Sequence, residues 1–323
     1  MTERSTTRAS GPGLMAGPEP ATPAPAAPGS AAPAAPAAQP VGARRSEILY
    51  FALRDTKFLV GAGILLVFVL IGVVGPLLRP GDPDVFVGAL GGAPNGEFWF
   101  GTTIFGQDVL AQFLHSVGPT LFVGLLGGGL AAVIGMTVGF VAGYRGGIVD
   151  EVLNVITNVV LVIPTLALLL VLTAYLQARG IVSEAVFIGC TSWPWAARAI
   201  RAQTFSLRNR DFVDLARLSG SSSLRIIFTE IAPNMASYLL LTFILLFGGA
   251  ILIAASLDFI GLGPTSGHSL GLMMYNAVGW GALQLGMWWW FVPPGLAITG
   301  IVGALYVTNV GLDEIFNPRL REL

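Results

Sequence analysis

The chain is poor in charge, in lysine, in histidine and in cysteine, and each shortage excludes something. Only 11% of its 323 residues are charged, against 54% hydrophobic, and mean hydropathy is +0.75. Soluble domains carry about a quarter charged residues, so a soluble globular fold is excluded. A formal net charge of −1 leaves no basic footprint, and no nucleic-acid partner is expected. The only lysine is Lys57, in RDTKFLV. A Walker A loop needs GxxxxGK[ST], with its lysine on the terminal phosphates, so this chain cannot supply that ATP site. The two histidines, His115 and His268, are expected far apart on external segments. Neither sits in an HExxH motif, and no zinc set is expected. Cys190 is the single cysteine, inside an apolar run, and reads as a buried small apolar residue. No GxSxG motif and no Ser/His/Asp order occurs, so enzyme chemistry is not expected.

What is present is membrane. Residues 1–46 are dominated by Pro, Ala, Gly and Ser, as in PATPAPAAPGSAAPAAPAAQP. Such a segment cannot bury enough apolar surface to offset its ordering entropy, and it is expected to be a disordered cytoplasmic tail. It lacks the compact apolar core of a cleavable signal peptide. Residues 47–323 are expected to form one all-α domain of six transmembrane helices, each near the roughly 20 residues a bilayer needs. The predicted spans are 58–78, 118–142, 152–177, 181–198, 235–256 and 287–308. The fourth is interrupted by Trp193-Pro194-Trp195 and is expected to emerge early. Fifteen of the 17 basic residues fall on one side of this arrangement, leaving Arg79 and Arg179 on the other. The positive-inside rule then makes both termini and the 199–234 loop cytoplasmic.

That loop contains the polar stretch RNRDFVDLARLSGSSSLRIIFTEIAPN, Arg208 to Asn234. Asp211 to Ser219 has helical spacing: Phe212, Leu215 and Ser219 share a face, with Ala216 and Leu218 beside them and Asp214 and Arg217 elsewhere. Asn209 or Asp211 can cap its start, and Gly220 stands where a left-handed C′ residue favours glycine. A short amphipathic helix between membrane spans can dock a partner; it can also be an ordinary solvated connection.

The pattern Asp214-Leu215-Ala216, Gly220 four residues after Ala216, then Pro233, resembles the EAA loop of ABC-transporter permeases. Further motifs narrow the resemblance to the dipeptide/oligopeptide/nickel branch. Gly101, Thr102, Gly106, Asp108, Val109 and Leu110 match its "LGTDxxGRDxxSR", and Gly139 to Asp150 (GFVAGYRGGIVD) matches its "GxxAGYxGGxxD". Ile163-Pro164, Ser192-Trp193-Pro194, Ala197-Arg198, Arg201-Ala202-Gln203, Pro293-Pro294-Gly295 and Asn317-Pro318-Arg319-Leu320 follow in the family's order. The departures are Gln107 for the branch's arginine, Ala254 for its glutamate, Asp258 within SLDFIGLG, and Leu270 for its tryptophan.

The resemblance implies a type I importer permease subunit. A second permease chain, two ATPase subunits carrying ATP and Mg, and an extracytoplasmic solute-binding protein would complete it. Asp211, Phe212, Asp214, Leu215, Ala216, Leu218, Gly220 and Pro233 would then form the ATPase contact. No cofactor is expected in this chain itself. Di- or oligopeptides are the implied cargo, with β-linked oligosaccharides as the alternative.

Three features stay open on sequence alone. Glycines 124 and 128, and glycines 135, 139 and 143, recur every four residues, giving a flat face for sliding or for tight packing. Trp288, Trp289 and Trp290 lie at the outer mouth of the sixth span, as an interfacial belt or as entry-path residues. Ion-coupled carriage would need ionisable groups near the midplane, and only Glu184 and Asp258 lie within or at the ends of spans. A non-transporting membrane scaffold is the remaining class, since the basic docking loop alone would allow it.

Overall fold

The computed structural model describes residues 53–177, 179–265 and 267–316. The tail of residues 1–46 and the motif Asn317-Pro318-Arg319-Leu320 lie outside the described residues. The first helix, α1, spans Thr56–Leu78 and starts on Asp55, whose Oδ1 accepts the N–H of Phe58 at 2.7 Å. It buries only Gly61 and Gly75. One flank of it leans on the helices Val109–Arg145 and Trp288–Phe316, while Leu66, Val67, Leu70, Val73 and Leu77 face outward, as a lipid-facing helix requires.

Helix α2, Val109–Arg145, is the central element, and it begins nine residues before the predicted span. Its first turns hold Gln112, His115 and Ser116, polar residues that lower the apolar signal; Gln112 donates to Asp84 Oδ1 at 3.2 Å, in the segment 79–108 that the predicted topology makes the outer segment. Asp108 starts it by accepting the Leu110 N–H at 2.9 Å. The glycine stripe serves two neighbours rather than one. A Cβ at Gly139 would stand 2.8 Å from the carbonyl oxygen of Ala197, and one at Gly143 2.7 Å from that of Arg201, both on α5 (Ile181–Leu207). A Cβ at Gly128 would meet the Phe247 backbone on α9 (Ala236–Phe259) at 2.7 Å. Small residues bring these backbones together where no hydrophobic effect can drive helices to associate.

The predicted third span is not one helix. Helices α3 (Gly147–Val162) and α4 (Thr165–Leu176) meet at 82° across Ile163-Pro164. Proline removes a backbone donor and disfavours helical geometry at the residue before it, so the predicted single span 152–177 is broken there. The fourth span departs in the other direction. Helix α5 runs unbroken from Ile181 to Leu207 through a buried Pro194, with its flank held against the glycines of α2. Cys190, expected to be buried, is exposed on the outside of this helix, because the flank turned to α2 is the opposite one.

The polar stretch folds as α6 (Asp211–Leu218), α7 (Ser223–Ile226), a π-helical turn over Ile227–Ile231 and α8 (Ala232–Asn234). Three helices follow: α9 (Ala236–Phe259), α10 (Leu270–Gly279) and α11 (Trp288–Phe316). Helices α1, α2, α9 and α11 are long and apolar enough to cross a membrane, and the bent pair α3–α4 makes a fifth such segment. Helix α5 is long enough, but Glu184, Ser192, Trp193-Pro194-Trp195 and its arginines dilute its apolar run. Among the described residues the only strand pairing is two isolated bridges in the outer segment, Phe86 with Gln107 and Thr102 with Asp108.

Candidate functional site: the α6 loop and the outer face

Helix α6 is closed at its C-terminus by hydrogen bonds. The Ser221 N–H donates to the Ala216 carbonyl at 3.1 Å and the Gly220 N–H to that of Arg217 at 3.0 Å. This pair is a Schellman closure, and it requires the left-handed φ of +76° found at Gly220. The N-terminus differs from expectation. Arg210, not Asn209 or Asp211, occupies the N-cap, and no side chain caps it. Asp211 and Asp214 lie instead in the first turn, where carboxylates favour the positive end of the helix.

The face that anchors α6 is not the one the spacing predicts. Val213 is fully buried, with Phe212 and Ala216 packed beside it, in a cluster with Ile200 of α5, Phe140 of α2 and Ile226, Ile227 and Ile231 beyond the glycine turn. Leu215 is 64% exposed and Leu218 is 85% exposed. Leu215 therefore leaves the face it was expected to share with Phe212. A helix with its root in the bundle and two leucines held out offers a partner an apolar contact. Leu224 and Phe228 are also exposed past the turn; Phe228 lies in the π-helical turn, which breaks the register that periodicity reads. Pro233 lies in α8 and joins this unit to α9.

Polar ties connect the loop to the bundle. The Arg217 guanidinium lies 5.5 Å from the Tyr144 ring centroid at the end of α2, and donates to Asp214 Oδ1 at 2.9 Å. Arg201 grips Asp150 with both arms of its guanidinium, Nη2 to Oδ2 at 2.6 Å, joining α5 to α3. Arg198 donates to Asn158 Oδ1 at 2.5 Å.

On the opposite face the tryptophans divide. Trp290 is 2% exposed and belongs to the core. Trp289 is half-buried and donates from Nε1 to the Thr102 carbonyl at 3.1 Å, pinning the outer segment. Trp288 is 56% exposed. Gln107 is likewise absorbed into the outer segment: its amide donates to the Asp84 carbonyl at 2.9 Å, and its Oε1 accepts from Gln112 at 3.1 Å.

The histidines are not far apart. Their ring centroids lie 6.4 Å from one another, and His268 Nε2 stands 3.5 Å from Asp84 Oδ2 without a hydrogen bond. Burial holds the His268 pKa below its ordinary 6.5, against the opposing pull of Asp84. Among the described residues no group of three or more His, Cys, Asp or Glu could hold a metal. The fold also joins two acids. Glu184 and Asp258, both buried, lie near one another where α5 and α9 pack, and Ser269 donates to Asp258 Oδ2 at 2.5 Å.

A bundle of apolar helices with a closed, amphipathic loop helix at one end is the arrangement of a multi-pass membrane component. Residues 135–322 match the model of the binding-protein-dependent transport system inner membrane component, and the chain belongs to that family. It is thus a permease component of an ABC transport system, located in the inner membrane and working with other subunits. A protein of Brucella abortus biovar 1, named provisionally as a peptide transport system permease, is 32% identical over 285 residues, covering 83% of this chain and 90% of the relative. The oligopeptide transport system permease protein OppC of Mycobacterium tuberculosis strain H37Rv is 31% identical over 284 residues, covering 87% of this chain and 97% of its own. OppC of Mycobacterium bovis matches to the same extent.

Proposed function

We propose that this chain is one of two membrane-spanning subunits of an ATP-driven importer for di- and oligopeptides delivered by an extracytoplasmic solute-binding protein. Two ATPase subunits with ATP and Mg bind the α6 loop from the cytoplasm. In this reading α5 is a sixth span, both termini are cytoplasmic, and the contact comprises Asp211, Phe212, Asp214, Leu215, Ala216, Leu218, Gly220 and Pro233. The observation that carries it is α6 itself, rooted through Val213 and offering Leu215 and Leu218 outward. The peptide cargo is supported by relatives named for peptides that cover most of this chain.

The alternatives lose ground. The tryptophans of α11 that would suit sugar rings are reduced to Trp288, since Trp289 and Trp290 are occupied within the fold. Glu184 and Asp258 do form a buried acid pair of the kind ion-coupled carriers use. They lie toward the outer ends of α5 and α9 rather than at the midplane, and an ion-coupled carrier would not need an exposed cytoplasmic docking helix.

The test is uptake in a deletion strain given labelled di- to pentapeptides and β-linked oligosaccharides, with co-purification of the tagged chain. Peptide uptake that depends on this chain, together with recovery of an ATPase, is the expected result. Loss of sugar uptake alone would replace the cargo, and activity of the purified chain without an ATPase would defeat the reading.

A further inference from the structure

The break between α3 and α4 leaves irregular, exposed backbone at Ile163-Pro164, beside α5 and α9. Proline stands at the N-cap of α4 and no side chain caps the first turn, so its leading N–H groups point onward without a side-chain acceptor. In lipid such groups are very costly, and non-helical backbone at membrane depth is tolerated only where it is buried in protein or lines a water-filled cavity. A cavity of about 240 Å³ lies at this place. Its walls include Leu161 and Thr165 from either side of the break, Ser192 and Trp195 from α5, and Gly249 and Ile253 from α9. Ser192 stands near the middle of Ile181–Leu207 and Gly249 near the middle of Ala236–Phe259, which sets the cavity at mid-depth. The Ser192 hydroxyl is buried and has no hydrogen-bond partner.

We propose that this cavity is a station on the cargo path that binds the backbone amides of an extended peptide. This rests on the peptide-import reading above. The chemistry of the walls selects the ligand. The uncapped N–H groups of α4, at the positive end of that helix, suit a peptide carbonyl oxygen, and the Ser192 hydroxyl suits a peptide N–H. No charged residue lines the cavity, so the charged ends of a peptide are not held there. Leu161, Trp195 and Ile253 offer apolar surface that tolerates varied side chains. Gly249 keeps the space open, since a Cβ there would meet nothing within 4 Å.

The experiment uses the whole transporter in proteoliposomes, with its ATPase and binding protein, and labelled tetra-alanine as cargo. Gly249→Phe fills the cavity and is expected to lose uptake. Gly303→Phe, which also adds bulk where a Cβ meets nothing, retains uptake. In a Cys190→Ala background, Ser192→Cys is expected to react with a charged, membrane-impermeant thiol reagent during ATP turnover, and tetra-alanine slows that reaction. Wild-type uptake by Gly249→Phe, or a Ser192→Cys thiol inert throughout turnover, overturns the proposal. If the wild type carries no tetra-alanine, the peptide reading fails; labelling of the Ser192→Cys variant without cargo still decides whether the cavity opens to water.

Discussion

Arg208 donates from Nη1 to the carbonyl oxygen of Gly143 at 3.2 Å, and the adjacent Tyr144 carbonyl lies at 3.4 Å. A guanidinium at the head of the α6 loop thus satisfies the last carbonyls of α2, the central helix, and sits at the negative end of its dipole. The Arg208 guanidinium also lies 4.2 Å from the Phe205 ring centroid, which holds it in place. This contact ties the α6 loop to the end of α2.

Arg208→Gln should therefore uncouple the machine rather than unfold it. The lost charge-assisted bonds cost about 1–2 kcal/mol. ATP hydrolysis should continue while peptide uptake per ATP falls, as measured in proteoliposomes. An unchanged ratio would remove Arg208 from the coupling path.

Gly220→Val tests the Schellman closure by backbone strain alone, because a Cβ there would meet nothing within 4 Å. A left-handed β-branched residue costs about 1–2 kcal/mol or more, which unwinds the end of α6. Uptake should be lost with membrane insertion intact, and Gly220→Asn, which tolerates that conformation, should retain most of it.

Gly139→Leu should separate α2 from α5. Overpacking of this kind costs about 1–3 kcal/mol, and it should appear as a lower Tm in detergent. Gly129→Ala is the control: its Cβ would have only Phe243 near it, at 4.0 Å, so Tm should hold or rise.

Acid should loosen the outer segment. Below the ordinary pKa of 6.5 the unfolded chain takes up a proton that buried His268 in the folded chain resists. The stability contributed by the neutral imidazole is therefore complete above 6.5 and declines as pH falls through and below it. Hydrogen exchange over residues 79–108 should quicken between pH 7.5 and pH 5, on the order of severalfold. His268→Gln should abolish that dependence.

Orientation is tested by single cysteines in a Cys190→Ala background. Ser222→Cys should be protected from an impermeant thiol reagent in intact cells, and Thr265→Cys should be labelled. Labelling of the Ser222→Cys variant from outside would invert the topology.

Much of this was legible in the chain. Long apolar runs without lysine can satisfy their backbone only as helices in lipid, so the membrane class followed from composition. Gly220 was readable because a positive φ at a helix end nearly demands glycine. The motifs from Gly101 to Pro233, taken in order, identified the family. Periodicity erred where local signals compete: Pro164 broke its helix while Pro194 did not, and the difference lies in what packs against each.

By itself, then, the sequence determined that this is a multi-span helical membrane protein, which family it belongs to, and where its loop helix α6 stops. These depend on composition, on the order of the motifs and on the backbone rules of single residues. Only the tertiary structure decided that Val213 roots α6 while Leu215 faces out, that one glycine stripe serves both α5 and α9, that His115 meets His268 and Glu184 meets Asp258, and that Trp290 is core. Each of these is a contact between helices remote in the chain, set by how rigid rods pack, and residue spacing along one rod carries no information about which neighbour it meets.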